Sequence, residues 1–371
     1  MPSEFTPRIA IVGVGLIGGS LGMAWRSRNA AKEVIGVTRR EETIAEALSV
    51  GAIDRGTTDL EEGVRTADVV IIATPIGAIA PLVRRIAPWL KEGAVVTDVG
   101  STKGDVCREI WSQPAASHVF IGGHPMAGSE KAGVLAADLY LFQNAPYVLV
   151  PPPEYPPEAL DLLASLARAA GARPIVMDPD EHDAIVATVS HLPHLVASAL
   201  VNAASARARR YGNLLELAAG GFRDTTRVAS GIEEVWTDIC LTNVPQITAA
   251  LDAFEIELSR LRRAIEQGDR ELLSTALREA KEVRDGLPKK AKGILGKVFD
   301  LVVHVVDRPN AIAEVTGIVG RANINIIDIE ILRVREGEGG TLRLGFEKET
   351  SREEAARLLE QAGYRLKRPR D

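Results

Sequence analysis

The sequence is short of cysteine. Two residues, Cys107 and Cys240, among 371 cannot build a disulfide framework or a cysteine metal site, and they fit a reducing cytoplasm. Positive charge is not in excess. Lys and Arg number 44 against 50 Asp and Glu, and the net −6 argues against nucleic acid as the main partner. No apolar run approaches the roughly 18 residues of a membrane span. Met1 to Pro7 lacks the basic-then-apolar pattern of a leader. A cytoplasmic protein without a membrane partner is therefore expected. What is present is an ordinary globular composition, 46% hydrophobic and 25% charged, over a length that suggests two to three domains.

The chain opens on an apolar strand, Arg8 to Val12, followed at once by Gly13-Val14-Gly15-Leu16-Ile17-Gly18 and a helix to Arg26. Strand, GxGxxG and helix in this order point to a dinucleotide site. Gly13 makes the tight turn, Gly15 lets backbone approach a pyrophosphate, and Gly18 lets helix and strand pack closely. The helix start, at Leu16 and Ile17, offers N–H groups and a positive dipole end to phosphate. An NAD enzyme carries Asp or Glu at the end of the second strand, for the ribose 2′-hydroxyl. Here Val34 to Val37 runs into Thr38-Arg39-Arg40, which favours a 2′-phosphate, hence NADP, with NAD not excluded.

Alternation continues through strands at Asp68–Ala73 and Ala94–Val99. In a doubly wound sheet ligands sit outside the carboxyl ends of strands. Thr74 and Pro75 end the first of these strands and are assigned to the cofactor side. Ser101 lies just past the second, and Lys103 reads as a surface helix residue. A third such end is Gly122-Gly123-His124-Pro125-Met126-Ala127-Gly128-Ser129-Glu130, a small-residue loop after the strand Val119 to Ile121. An imidazole there can exchange a proton near neutral pH, and Ser101 could orient it. Strands at Tyr147–Val150 and Pro174–Met177 extend the sheet, and the first domain closes near residue 179.

Residues 180–287 contain no convincing strand and show helical periodicity. His191 and His194 share a helix face one turn apart, and Pro193 should kink that helix. Without an obvious third ligand the pair is not a metal site; the two imidazoles line a pocket or are core residues. Gly220-Gly221-Phe222-Arg223-Asp224-Thr225-Thr226-Arg227 suits a carboxylate, with one arginine free to grip it. Trp236 follows, as a pocket or core residue. Ile247, Leu251, Phe254, Leu258, Leu261 and Ile265 form an a/d seam, which covers the domain's own core or pairs two chains as a homodimer. After a basic linker at 288–297, residues 298–371 read as a ferredoxin-like βαββαβ module without catalytic residues.

Taken together, these motifs resemble the prephenate/arogenate dehydrogenases of tyrosine biosynthesis, and the C-terminal module resembles an ACT domain. The matching pieces are GxGxxG, Asp98-Val99-Gly100-Ser101-Thr102-Lys103, the stretch from Gly122 to Glu130, Asn144-Ala145-Pro146-Tyr147-Val148-Leu149, His191-Leu192-Pro193-His194 and Gly221 to Arg227. The resemblance implies a Rossmann-type domain, a helical substrate and dimerisation domain, and a regulatory module. It implies oxidative decarboxylation of prephenate to 4-hydroxyphenylpyruvate, with hydride passing to NAD(P). His124 would accept the ring-hydroxyl proton, and Ser101 would orient it near the nicotinamide. Arg227 would bind the ring carboxylate; His194, Trp236 and His191 would line the pocket. A tyrosine effector would use Asp307 to Asn310, with Asn323, Asn325 and Ile326, where two ACT modules meet. Arogenate is the alternative substrate. Another NAD(P) oxidoreductase of this layout would need a lysine or aspartate donor in the helical domain, and a non-catalytic sensor would not need His124, Ser101 and Arg227 together.

Overall fold

A computed structural model describes residues 6–113, 118–129, 131–286, 299–306, 308–332 and 340–367. It divides into two compact units, Met1–Leu287 and Pro288–Asp371. The linker expected at 288–297 and the effector residue Asp307 lie outside the described residues.

The first half of the large unit alternates strands and helices. They are β1 (Arg8–Val12), α1 (Leu16–Ser27), β2 (Glu33–Val37), α2 (Glu41–Ser49), β3 (Arg55–Thr57), α3 (Leu60–Val64), β4 (Val69–Ile72), α4 (Ile79–Ile86), β5 (Ala94–Asp98), α5 (Gly104–Trp111), β6 (His118–Pro125), β7 (Pro146–Val150), α6 (Pro157–Ala169) and β8 (Arg173–Val176). The eight strands form one sheet in the order β3-β2-β1-β4-β5-β6-β7-β8. Side chains alternate across a pleated strand. Ile9, Ile11, Val69 and Ile71 therefore enter the core on one face, and Ala10, Val12, Val70 and Ile72 the core on the other. Both faces are covered, which is why these strands read as unbroken apolar runs.

Two features depart from the sequence expectation. Strand β3 is three residues, Arg-Gly-Thr, too short and polar to show a period, yet it pairs with β2. Strand β6 does not stop at Ile121. Its first four residues pair parallel with β5, and Gly122 to Pro125 then pair antiparallel with β7. The apolar pattern ends where the partner changes, so His124 stands in a strand and not in the loop expected for it.

The second half is helical: α7 (Pro179–Val186), a π turn (Ala187–His191), α8 (Leu192–Ala208), α9 (Gly220–Thr226), α10 (Glu233–Thr242), α11 (Val244–Gln267) and α12 (Arg270–Gly286). Pro193 cannot donate to the carbonyl one turn back, and the helix absorbs it in the π turn just ahead. The run Pro179–Ala208 corrects the expectation that no segment is apolar enough to span a membrane. Its best window has mean hydropathy 1.6, and only 28% of that window is buried. Its His182, Asp183 and His191 are nevertheless buried in the folded unit. The a/d seam divides. Ile247 packs internally, whereas Leu258 and Ile265 are exposed.

The small unit comprises β9 (Phe299–Val305), α13 (Ala311–Arg321), β10 (Asp328–Leu332), β11 (Gly340–Phe346), α14 (Glu349–Gln361) and β12 (Leu366–Lys367). Its antiparallel order β10-β11-β9-β12 is the expected ferredoxin-like arrangement. Residues 324–327 precede β10 and are not strand. Leu301, Val303, Leu342, Leu344 and Phe346 pack with Val315, Val319 and Leu359 of the helices.

Gly18 bears directly on the α1–β1 contact. A Cβ there would lie 2.4 Å from the Gly13 carbonyl oxygen and 2.9 Å from the Ile11 side chain. Gly18→Ala should therefore cost about 1–3 kcal/mol by overpacking, read as a lower urea midpoint. Gly15→Ala, whose Cβ meets nothing within 4 Å, should keep its midpoint.

Candidate active site

The glycine turn is built as a phosphate cradle. Gly13 adopts φ +98, which a side chain would strain, and its N–H donates to the Val37 carbonyl at 2.9 Å. Helix α1 has no side-chain cap. The N–H groups of Leu16, Ile17 and Gly18 precede the first helical hydrogen bond, from Gly19 to the Gly15 carbonyl. Open space over Gly15 and free N–H groups fit a pyrophosphate. At the end of β2, Thr38 donates to the Arg40 carbonyl at 2.8 Å. Arg39 and Arg40 are exposed; among the described residues Arg40 reaches Thr43, at 3.4 Å. Across the crevice, Thr74 Oγ1 is buried and has no partner among the described residues, and Pro75 follows it, exposed.

His124 lies in β6 opposite Val148 of β7. The strand reaches this point through Gly122 and Gly123. A Cβ on Gly123 would sit 2.4 Å from the Asp98 carbonyl oxygen, and one on Gly122 would sit 2.7 Å from Cys107 Sγ. Side chains there would push β6 off β5 and α5. Asp98, fully buried, ties the corner down. It accepts from Gly100 N–H at 2.7 Å and Gly123 N–H at 3.0 Å, and it pairs with Lys103 Nζ. Lys103 is thus fully enclosed, contrary to the surface position expected for it: its ammonium answers a carboxylate that would otherwise be buried unpaired. Burial pushes the neighbouring Cys107 thiol up to about 12, which leaves it inert.

The imidazole of His124 is not held by Ser101. No hydrogen bond joins the two among the described residues. Instead His124 Nδ1 meets His182 Nε2 at 2.8 Å, and His182 Nδ1 meets Asp183 Oδ1 at 2.8 Å. Asp183 also accepts from the N–H groups of Lys103 and Gly104, both at 2.8 Å. His182 and Asp183 come from α7, so the helical half supplies this support. Sequence inspection passes over the pair because adjacent residues do not share a helix face. Only the docked α7 turns both inward. Burial, then His182, Lys103 and His191, hold the His124 pKa well below the ordinary imidazole value. A partly buried ring kept neutral in this way is suited to accept a proton.

The remaining predicted residues lie in the helical half. His191 is 1% exposed and faces Asn243 Nδ2 at 3.4 Å. Burial lowers its pKa to about 4, and it behaves as a core histidine. His194 stacks on Trp236, with ring centroids 3.5 Å apart and planes 8° from parallel. His194 Nδ1 has no partner among the described residues. Arg223 donates to the Ala218 carbonyl at 3.2 Å. Arg227 is exposed, with no hydrogen bond or ion pair among the described residues, which leaves its fork open to a carboxylate. In the small unit, Asn310 and Asn323 both have positive φ but stand at opposite ends of α13. Eleven helical residues separate them by roughly 16 Å, so Asn310 does not meet Asn323, Asn325 and Ile326 within one module.

The depressed pKa gives a signed expectation. Activity that needs neutral His124 should be level near pH 7 and should fall only below pH 6.5, as the ring protonates. A kcat/KM profile centred above 6.5 would contradict this assignment. His124→Asn should reduce turnover by about 10²–10⁴-fold with nucleotide affinity unchanged by titration calorimetry.

Three family models match the chain in order. The prephenate dehydrogenase nucleotide-binding domain covers residues 21–176, the prephenate dehydrogenase dimerization domain 178–279, and the ACT domain 293–362. The prephenate dehydrogenase of Bacillus subtilis is 37% identical over 96% of this chain and 97% of its own. The cyclohexadienyl dehydrogenase of Zymomonas mobilis is 33% identical over 74% of this chain and 94% of its own. Among solved structures, the prephenate dehydrogenase of Aquifex aeolicus with hydroxyphenyl propionate and NAD+ superposes with TM-score 0.71. It is 32% identical and covers 77% of this chain and 100% of its own. With a Rossmann sheet, a helical half docked against it and a separate ferredoxin-like module, the chain belongs to the prephenate dehydrogenase family of NAD-dependent oxidoreductases.

Proposed function

We propose that the chain oxidatively decarboxylates prephenate to 4-hydroxyphenylpyruvate. The observation that carries this reading is a neutral imidazole, His124, at the ligand edge of a dinucleotide fold, with no hydrogen bond to its Nε2 among the described residues. A bound nicotinamide supplies the hydride acceptor for the substrate carbon that bears the hydroxyl. His124 Nε2 takes the proton of that hydroxyl, which assists hydride departure. Loss of the ring carboxylate as CO₂ sends its bond pair into the ring, and His124 returns the proton to the phenolate oxygen so formed, which completes the aromatic product. Arg227 is assigned to that carboxylate as an exposed, unpaired guanidinium. It orients the group while solvent screens its charge, so that decarboxylation is not opposed. His194 and Trp236, stacked together, form the wall near the substrate side chain, with His191 behind them. Ser101 is assigned to the nicotinamide side, since the His124 contact is made by His182.

Thr38, Arg39 and Arg40 favour NADP: no acid is present to meet a ribose hydroxyl, and the Arg39 guanidinium has no ionic partner among the described residues. The pyrophosphate is assigned to Gly13 to Gly18, with Thr74 and Pro75 across the crevice. We further propose a cytoplasmic homodimer built on the helical half, whose seam leaves Leu258 and Ile265 exposed. Tyrosine is the proposed effector, bound between ACT modules of two chains. The distance between Asn310 and the Asn323–Ile326 segment supports a site that draws its two sides from different modules.

The test is reduced-nicotinamide formation with prephenate or arogenate, each with NAD and NADP, with and without tyrosine. Prephenate turnover suppressed by tyrosine is expected, with NADP preferred. Turnover of arogenate alone would replace the substrate assignment, and NAD preference would remove the Thr38–Arg40 argument. Arg227→Gln should raise the substrate KM by at least about tenfold, the loss of one charged hydrogen-bonded contact; an unchanged KM would exclude its carboxylate role.

A further inference from the structure

A general base needs a lone pair where the substrate hydroxyl arrives. A neutral imidazole has one lone pair and one N–H, and the hydrogen bond made by one nitrogen decides which nitrogen carries the proton. At His124 the choice can be traced to a group with only one possible role. Ionised Asp183 can only accept. Its Oδ1 lies 2.8 Å from His182 Nδ1, so His182 carries its proton on Nδ1. In the neutral ring His182 Nε2 is then an acceptor, and it lies 2.8 Å from His124 Nδ1. His124 must therefore carry its proton on Nδ1, which leaves Nε2 bare. No protein group among the described residues bonds Nε2.

The chain is anchored firmly enough to impose this order. His182 is fully buried, and Asp183 is 4% exposed. The Lys103 and Gly104 N–H groups fix both carboxylate oxygens, and Asn243 Nδ2 donates to the Asp183 carbonyl at 2.9 Å. The His124 and His182 rings meet edge-on, with centroids 5.0 Å apart and planes at 71°. That geometry suits an N–H aimed at an in-plane lone pair. The charged and titratable groups around His124 are His182 and Asp183 from α7, Asp98 at the end of β5, Lys103 just ahead of α5, His191 from the π turn and Tyr147 from β7. Among these, only His182 bonds the imidazole.

We propose that His182 is a positioning residue: with Asp183 it holds His124 as the Nδ1–H tautomer, so that Nε2 is free to take the substrate proton. This deepens the dehydrogenase reading and rests on it for the identity of the proton donor. When Nε2 takes the hydroxyl proton, His124 becomes an imidazolium. Its Nδ1–H stays on His182 Nε2, and His182 Nδ1–H stays on the Asp183 carboxylate. No further proton moves in that step, and the new positive charge faces an anion through one polarised ring. The role parallels that of the aspartate in a serine-protease triad, which fixes tautomer and orientation without taking the proton. Here a second histidine stands between carboxylate and base.

The test has a spectroscopic and a kinetic arm, both on the full chain. Nitrogen NMR of ring-labelled histidine is practical with 6 histidines, and His124→Asn assigns the signal. The expected result at pH 7.5 is an Nδ1–H tautomer for His124. His182→Leu should shift that ring toward the Nε2–H form and lower kcat by at least about 10²-fold, with KM for substrate and nucleotide within about threefold. His182→Gln, whose amide oxygen can accept from His124 Nδ1–H and whose NH₂ can donate to Asp183, should recover at least about tenfold of that loss. An Nε2–H tautomer in the unsubstituted protein would overturn the proposal, and so would a kcat within twofold in His182→Leu. Gln performing no better than Leu, with both folded by circular dichroism, would also overturn it. The NMR arm needs no substrate. An Nδ1–H signal with no prephenate turnover would therefore count against the dehydrogenase reading alone.

Discussion

The docking of the helical half onto the sheet depends on one buried carboxylate. Asp183 accepts hydrogen bonds from the two backbone N–H groups that begin α5 and faces His182 Nδ1. Its own carbonyl holds Asn243. Each of these groups would otherwise be buried unsatisfied, at about 1–3 kcal/mol apiece. The helix start also prefers an anion at its positive dipole end, and Asp183 supplies one from another element. Thr102 and Thr242, with hydroxyls 2.9 Å apart, and the Arg108–Asp180 pair at 2.5 Å lie around it. The exposed Arg108–Asp180 pair contributes little energy of its own; Asp183 fixes the register.

A second carboxylate, Asp98, organises the sheet side in the same manner. It gathers two backbone N–H groups and the Lys103 ammonium into a space sealed from water. A buried pair of this kind adds little net stability over an apolar replacement. What it adds is position and field. Burial first, then His182 and the ammonium, disfavour the His124 imidazolium. Lys103 and Asp183 thus act on His124 in opposite senses, one on its charge and the other, through His182, on its orientation.

How much of this was legible beforehand follows from which interactions are local. The glycine turn could be read because each glycine answers a local constraint: a positive φ, open space, or a helix pressed against a strand. The βαββαβ module could be read from alternation, and the absence of strands among the described residues of 180–287 from a helical period. What could not be read was set by contacts distant in sequence. Ser101 seemed the partner of His124 because both fall at strand ends, yet α7, 58 residues further along, brings the group that makes the bond. Lys103 looked like a surface residue because its helix is amphipathic; its burial follows from Asp98, five residues earlier and folded under it. Strand β3 was missed because three residues carry no period. The seam on α11 could not be divided into internal and exposed parts, since both uses have the same spacing.

The change of partner halfway along β6 has a consequence for how the base is held. Catalytic side chains are commonly carried on loops, whose backbone must be immobilised each time a ligand binds. Here the ordering entropy of the His124 backbone, about 1–2 kcal/mol for a residue in general, is met when the sheet forms, because the residue is a rung of the β6–β7 ladder. On its other side β5 has ended at Asp98. The residue is therefore laddered to β7 along one edge and lies past the end of the neighbouring strand along the other.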